Sequence, residues 1–311
     1  MRGGGRWIVG TVVAVAVVAA LVRTLPDREL SGPPIAPVAV APSAVSSAVD
    51  PPTSPTPTST PPSTEAATSA AAQSAVDAVD AVDDAHAGVD LGAAVLDLDT
   101  GEVALGDGGA DPFYAASVAK LLTVVDVLHR AETGELTLTD AEDGWIEQAL
   151  RVSDDNAMNR LWETFGGSDT VAGSIDLAGL TGSAPPDDPS QWGETTVTAA
   201  DVVTLYRFVL DDLSPEHRDL VLDALGAAAD TAADGFDQAY GLIAPPRPDG
   251  VAAKQGWMWI GSEFYLHTTG LVDDDRYAVA VLSRHTASLS SAVARSVMDD
   301  ATGAALGPLL G

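Results

Sequence analysis

The sequence predicts an α+β fold: an antiparallel sheet assembled discontinuously from both chain ends and flanked by helices, with an inserted all-α lobe. Three observations predict it. LGAAVLDLDTGEVALGD (91–107) reads as a hairpin turning at Asp99-Thr100-Gly101. Strand-like runs return only late, in VAAKQGWMWI (251–260), EFYLHTTGLV (263–272) and RYAVAVLSR (276–284). Between these two groups apolar residues recur at helical spacing. Strands at both ends with helices between them fit one shared sheet and a separately packed middle.

Taken in order, residues 1–23 are expected to be a signal-anchor. Arg2 and Arg6 precede a run of 16 uncharged, mostly apolar residues, Trp7 to Val22, closed by Arg23. That run is near the lower length limit for a membrane span, and the positive flank places the N-terminus inside. If the segment is cleaved as a secretory signal instead, the protein is secreted. Residues 24–65 are expected to be a disordered Pro/Ser/Thr-rich tether, because 10 of the 20 prolines fall between residues 31 and 64. At about 3.1 Å per residue such a tether reaches roughly 130 Å.

Residues 66–311 form the expected globular domain, with an α/β part at 66–116 and 241–311 and an all-α part at 117–240. It opens with a helix over 66–87, where Val76, Val79 and Val82 lie on one stripe and Asp77, Asp80 and Asp83 on another. After the hairpin come helices over 117–131, 141–151, 156–165, 198–211 and 214–225. The late strands follow, and a helix over 290–304 closes the chain.

The composition excludes more than it identifies. The chain has 311 residues, 45 acids, 15 bases and a net charge of −30. A nucleic-acid surface is excluded, since phosphate binding needs dense Lys and Arg. With no cysteine there is no disulfide, thiolate metal site or Cys nucleophile. Four acids and four arginines cancel over residues 1–65, so the whole excess resides on the globular domain. Thirteen of the 15 bases are Arg, and the only lysines are Lys120 and Lys254. On a domain that repels anions, these two are expected to supply the local cationic site.

Both lysines fall in motifs that carry chemistry. In FYAASVAKLL, Ser117 and Lys120 stand three residues apart at the entrance to an apolar helix, so the ammonium can reach the hydroxyl. Lys120 lies on the apolar side, and a desolvated lysine has a lowered pKa that suits it to act as a base. In ALRVSDDNAMN, Ser153 and Asp155 occupy a polar break between two amphipathic helices, where an ordinary N-cap is the plainer reading. In VAAKQGWMWI, Lys254 lies on a strand and is followed by Gln255, Gly256 and Trp257, the glycine permitting close backbone approach.

This ordered set resembles the penicillin-recognising serine hydrolases, and among them the class A β-lactamase-like group, whose pattern is S-x-x-K, then S-D-N, then K-T-G. The resemblance spans about residues 66–311 and implies a β-lactamase/transpeptidase-like fold. It implies that Ser117 is the acylated nucleophile, Lys120 its general base and Ser153 a proton shuttle to the leaving nitrogen. It further implies that Lys254 binds a substrate carboxylate, and that the backbone N–H groups of Ser117 and Trp257 form the oxyanion hole. Asp155 stands where the family has Asn, and Gln255, where it has Thr, retains the ability to hydrogen-bond a carboxylate. The segment GLTGSAPPDDPSQWGETTV (179–197) lacks the E-x-x-L-N glutamate that positions a deacylating water, and Asp187, Asp188 and Glu194 are read as solvated loop charge.

The expected activity is therefore a membrane-tethered, extracytoplasmic serine hydrolase that acylates Ser117 with a β-lactam or peptidoglycan-like peptide and deacylates weakly. A D,D-peptidase-like cell-wall enzyme and a non-catalytic envelope module that keeps the fold are the alternatives. No metal or cofactor is expected, and the five histidines show no ligand spacing. G-x-S-x-G is absent, which excludes an α/β-hydrolase. His267 is read as a packed strand residue.

Overall fold

The helical stripe at the start of the domain forms α1 (Ala70–Ala85), which turns Ala72, Ala75, Val76 and Val79 inward. The structure, a computed structural model, describes residues 69–286 and 288–311. The anchor and tether expected over residues 1–65 lie outside the described residues. Among the latter no helix is long and apolar enough to cross a membrane.

The main sheet has five antiparallel strands, β1 (Val89–Asp97), β2 (Glu102–Leu105), β5 (Ala252–Ile260), β6 (Glu263–Val272) and β7 (Tyr277–Thr286), in the order β2-β1-β7-β6-β5. The β1/β2 hairpin turns where expected, with Asp97 opposite Glu102. Its other edge pairs with β7 from Val89↔His285 to Asp97↔Tyr277, so the sheet is closed by the two ends of the chain. Strand β5 lies at the open edge.

Both faces of the sheet are covered, which is why its strands read as apolar runs. Tyr277, Val279 and Val281 of β7 pack toward α1 and α8 (Ser291–Leu310). Ala278, Ala280 and Leu282 face the opposite way, into the core shared with α2 (Ala119–Glu132) and α6 (Ala199–Asp211). Each fully buried Val or Leu contributes about 1.5–3 kcal/mol relative to exposure. The remaining helices are α3 (Asp140–Arg151), α4 (Asp155–Phe165), α5 (Ser168–Ala178) and α7 (Pro215–Gly226).

Four features depart from the sequence expectation. Helix α1 is shorter than 66–87. Helix α8 continues through Gly303 and Gly307 to Leu310, and Pro308 in its final turn forgoes one i→i−4 hydrogen bond close to where the helix ends. Helix α5 was not foreseen, because its Ser, Thr and mid-helix Gly173 are poor helix formers. Gly173 is there for packing: a Cβ would lie 2.0 Å from Asp126 Oδ1 on α2. Finally, a two-residue ladder pairs β3 (Phe113–Tyr114) with β4 (Thr196–Val197), joining the strand before Ser117 to the 190s loop.

Candidate active site

Ser117 is delivered by a strained backbone. The Ala115 N–H donates to the Thr195 carbonyl at 2.7 Å, and Ala116 then adopts φ 47°, the left-handed region that a Cβ disfavours. A 3-10 turn over Ala116–Val118 passes directly into α2. The conformation costs about 1 kcal/mol or more and points Ser117, only 5% exposed, at the base of a cleft.

One turn later Lys120 enters the core between α2 and α4 and is 0% exposed. Its Nζ donates to Ser117 Oγ (3.0 Å), the Ser153 carbonyl (2.7 Å), Ser153 Oγ (3.2 Å) and Asp155 Oδ1 (2.7 Å). An ammonium has three protons for these four acceptors, so the two longest contacts share one. The Trp192 ring covers a further side, its centroid 4.9 Å from Nζ. Burial lowers the pKa of Lys120, and the neighbouring Asp155 carboxylate opposes that shift.

Ser153 lies at the α3–α4 junction with φ 54°. The N-cap of α4 is Asp154, whose carboxylate accepts from the Asn156 N–H, so the hydroxyl of Ser153 is not spent on capping. Ser153 Oγ instead accepts from Lys254 Nζ at 2.8 Å as well as from Lys120. Lys254, on β5 and 1% exposed, also donates to the Gln255 carbonyl. Burial holds its pKa well below the usual lysine range, and the charge of Lys120 lowers it further. Two lysines, two serines and one carboxylate are thus linked in a single buried chain of hydrogen bonds.

Gly256 follows in a tight place: a Cβ would approach the Ala115 carbonyl to 3.1 Å and His267 Cδ2 to 3.2 Å, so these neighbours would have to give by a few tenths of an ångström. Trp257 stacks on Phe236 (centroids 4.5 Å apart, 11° between planes) and lines the cleft. Gln255 is placed differently from the expectation. Its amide N–H donates to the carbonyls of Gln238 and Tyr240 on the opposite face of β5, so the side chain does not reach into the cleft. Alternation along the strand is the cause, since Lys254 already takes the cleft-facing side.

His267 braces the nucleophile segment from behind. Its Nδ1 accepts from the Ser283 N–H (3.1 Å), which requires the proton on Nε2, and that proton is donated to the Tyr114 carbonyl (2.8 Å). Burial pushes its pKa down to about 4.

The cleft encloses about 350 Å³ and is walled by Asp155, Asn159, Trp192, Asp234, Trp257 and Met258 around Ser117. The Trp192 Nε1–H donates to Asn159 Oδ1 at 2.9 Å. The three carboxylates weighed in the 179–197 segment are elsewhere. Asp188 caps the Ser190 N–H and hydroxyl, while Asp187 and Glu194 line a separate small cavity with Tyr114. The lysines do not make the cleft surface cationic, contrary to the sequence expectation, because both are withdrawn into the core. Among the described residues no group of three His, Asp or Glu side chains could hold a metal.

The sequence profile of the beta-lactamase enzyme family matches residues 73–142 and 145–305. The chain belongs to the beta-lactamase enzyme family. Solved structures share the fold: a β-lactamase from Chitinophaga pinensis superposes with a TM-score of 0.62 at 18% identity, covering 74% of this chain and 97% of that one. A class A β-lactamase representative from Bacteroides cellulosilyticus gives 0.63 at 15% identity, covering 77% and 98%. PBP-A gives 0.59 at 17% identity, covering 74% and 93%. A curated relative from Mycobacterium tuberculosis named "Putative lipoprotein LppW" is 34% identical over 212 residues, 65% of each chain, so the match spans about two thirds of that relative's length.

Within this beta-lactamase fold the site holds residues that motif spacing did not reveal. Asp234 sits in a coil between α7 and β5 with no pattern around it. Trp192 and Asn159 lie near the motifs in sequence, and only the fold brings Trp192 over Lys120 and Asn159 against Trp192. An aromatic in a loop otherwise rich in Gly, Pro and Asp was the one available signal for Trp192.

Proposed function

We propose that this protein is a membrane-tethered, extracytoplasmic serine hydrolase of the penicillin-binding type that forms an acyl-enzyme on Ser117 and releases it slowly. The observation that carries the reading is the convergence of Ser117, Lys120, Ser153 and Lys254 within one hydrogen-bonded chain at the base of a cleft. In the productive form Lys120 is neutral and accepts the Ser117 proton. Ser117 Oγ bonds to the acyl carbon, the C–N bond breaks, and Ser153 passes its proton to the leaving nitrogen while taking up the one held on Lys120, which returns to its neutral form. Water then cleaves the ester, restoring Ser117 and freeing the acid. The substrates that fit are β-lactams and peptidoglycan-like peptides. Slow release is supported by the 179–197 carboxylates, none of which lines the cleft of Ser117, and by the indole over Lys120. The lipoprotein name of the mycobacterial relative supports an envelope location. These 311 residues contain no cysteine for a lipid, so here the apolar run at 7–22 serves as the anchor.

A second reading is a binding module without catalysis, or a D,D-peptidase-like cell-wall enzyme. The Asp155–Lys120 ion pair favours the module, because a lysine held charged is a poor base. One experiment separates them: incubate the detergent-purified full chain with benzylpenicillin and a chromogenic cephalosporin, recording intact mass and turnover. A persistent adduct that is lost in Ser117→Ala is the expected result. Fast Ser117-dependent turnover refutes the slow release, and the absence of both adduct and turnover refutes the acyl-enzyme.

A further inference from the structure

We infer that the cleft selects acyl substrates bearing a positive charge, an ammonium facing Asp234 and Asp155. The inference rests on the proposed acylation of Ser117 and adds the charge class of its substrate. Four observations lead to it. Both lysines of the site are 0–1% exposed and committed to Ser117, Ser153, Asp155 and the Gln255 carbonyl. The nearby arginines are committed too: Arg247 bonds the carbonyls of Gly226, Ala228 and Val251, and Arg295 those of Asp237 and Ala239. Among the described residues no arginine lines the cleft, and the Gln255 amide is turned away from it. What the cleft does present to solvent is the Asp155 side chain, 60% exposed, and the exposed Asp234.

The two carboxylates are not equivalent. Asp155 is paired with Lys120 at 2.7 Å, whereas among the described residues Asp234 accepts from neutral donors, the Phe236 backbone N–H at 2.8 Å and the Trp257 Nε1–H at 3.4 Å, and has no ion-pair partner. Asp234 thus stands at the mouth without a cationic partner in direct contact, beside the indole N–H of Trp257. A carboxylate without an ion-pair partner at the mouth of the cleft favours an ammonium by charge. The net charge of −30 acts in the same sense at longer range, enriching cations and depleting anions near the mouth.

Three penicillins that differ only at the side-chain α carbon, carrying hydrogen, an ammonium or a carboxylate, test the inference, since all share the same ring carboxylate. Second-order acylation rates of the detergent-purified full chain are read by intact mass at low and high salt. The ammonium penicillin is expected to react about tenfold faster than the neutral one, and the carboxylate penicillin slower still. The spread contracts at high salt and in Asp234→Asn. Equal rates, a faster anionic probe, or a spread unchanged in Asp234→Asn overturns the inference while leaving acylation intact. If none of the three forms an adduct, the acylation reading fails. Charge preference is then read from binding of phenethylamine against phenylacetate to the Ser117→Ala protein by tryptophan fluorescence, where tighter binding of the amine sustains the inference and equal or weaker binding overturns it.

Discussion

Replacing Asp155 by Asn will raise the rate at which Ser117 is acylated near neutral pH. Asp155 Oδ1 lies 2.7 Å from Lys120 Nζ, and the carboxylate opposes the effect of burial by favouring the protonated lysine. At this separation Coulomb's law gives about 6 kcal/mol at an effective dielectric of 20 and about 1.5 kcal/mol in water. Because the Asp155 side chain is 60% exposed, the lower figure applies, equivalent to about one pKa unit. Asn keeps the acceptor oxygen and the shape while removing the charge. Below the pKa of Lys120 its neutral fraction then rises about tenfold, and acylation rises with it. The assay is the rate of benzylpenicillin adduct formation by intact mass from about pH 5.5 to about pH 9, for wild type and Asp155→Asn. The ascending limb of the profile is expected to move down by about one unit. An unchanged profile, or a slower variant at every pH, refutes the assignment of Lys120 as the base restrained by Asp155.

Three further outcomes follow from the geometry. Trp192→Ala removes the indole from Lys120 and frees Asn159 Oδ1 to hold a water, so the adduct lifetime will shorten several-fold while acylation changes little; Trp192→Phe, which keeps the aromatic face, will stay near wild type, and pulse-chase intact mass measures both. Gly173→Ala places a Cβ against the Asp126 carboxylate and is expected to cost about 1–3 kcal/mol, seen as a lowered Tm. His267 has a folded pKa of about 4, below its ordinary value of 6.5, so protonation favours the unfolded chain. Its contribution is fully present above about pH 6.5, is lost progressively as pH falls toward 4, and is constant below that. The Tm advantage of wild type over His267→Gln will therefore be largest above pH 7 and will shrink on acidification; an advantage independent of pH contradicts a neutral His267 in the folded state.

Much of the fold was legible because its periodicities are strong. The hairpin at 91–107 and the three late strands stand within a residue or two of their expected places, and the closure of one sheet by both chain ends followed from their order. Helix α5 was not legible, since Gly173 is chosen by contact with Asp126 and not by local propensity. Ser117, Lys120, Ser153 and Lys254, which the structure brings into one hydrogen-bonded chain, stand out in the sequence because two lysines in 311 residues make their spacing informative. Gln255 was misplaced because strand alternation sends it opposite to Lys254. Asp234 and Trp192 carry no spacing signal, since they come from loops whose positions are set by tertiary pairing such as the β3/β4 ladder.

The pairing of β1 with β7 also governs when the site can exist. Val89 meets His285 across about 200 residues of chain, and closing so long a loop costs several kcal/mol before any contact returns it. Lys254 is carried on a strand that joins the sheet through β6 and β7, so Ser117, Lys120 and Ser153 wait for the last part of the polypeptide to be made. A chain halted at residue 250 contains the nucleophile and its helix but lacks three of the five strands that hold the machinery in register. A nascent or truncated product therefore cannot assemble the hydrogen-bonded chain of Ser117, Lys120, Ser153 and Lys254, and the acylation proposed for Ser117 is confined to the finished domain.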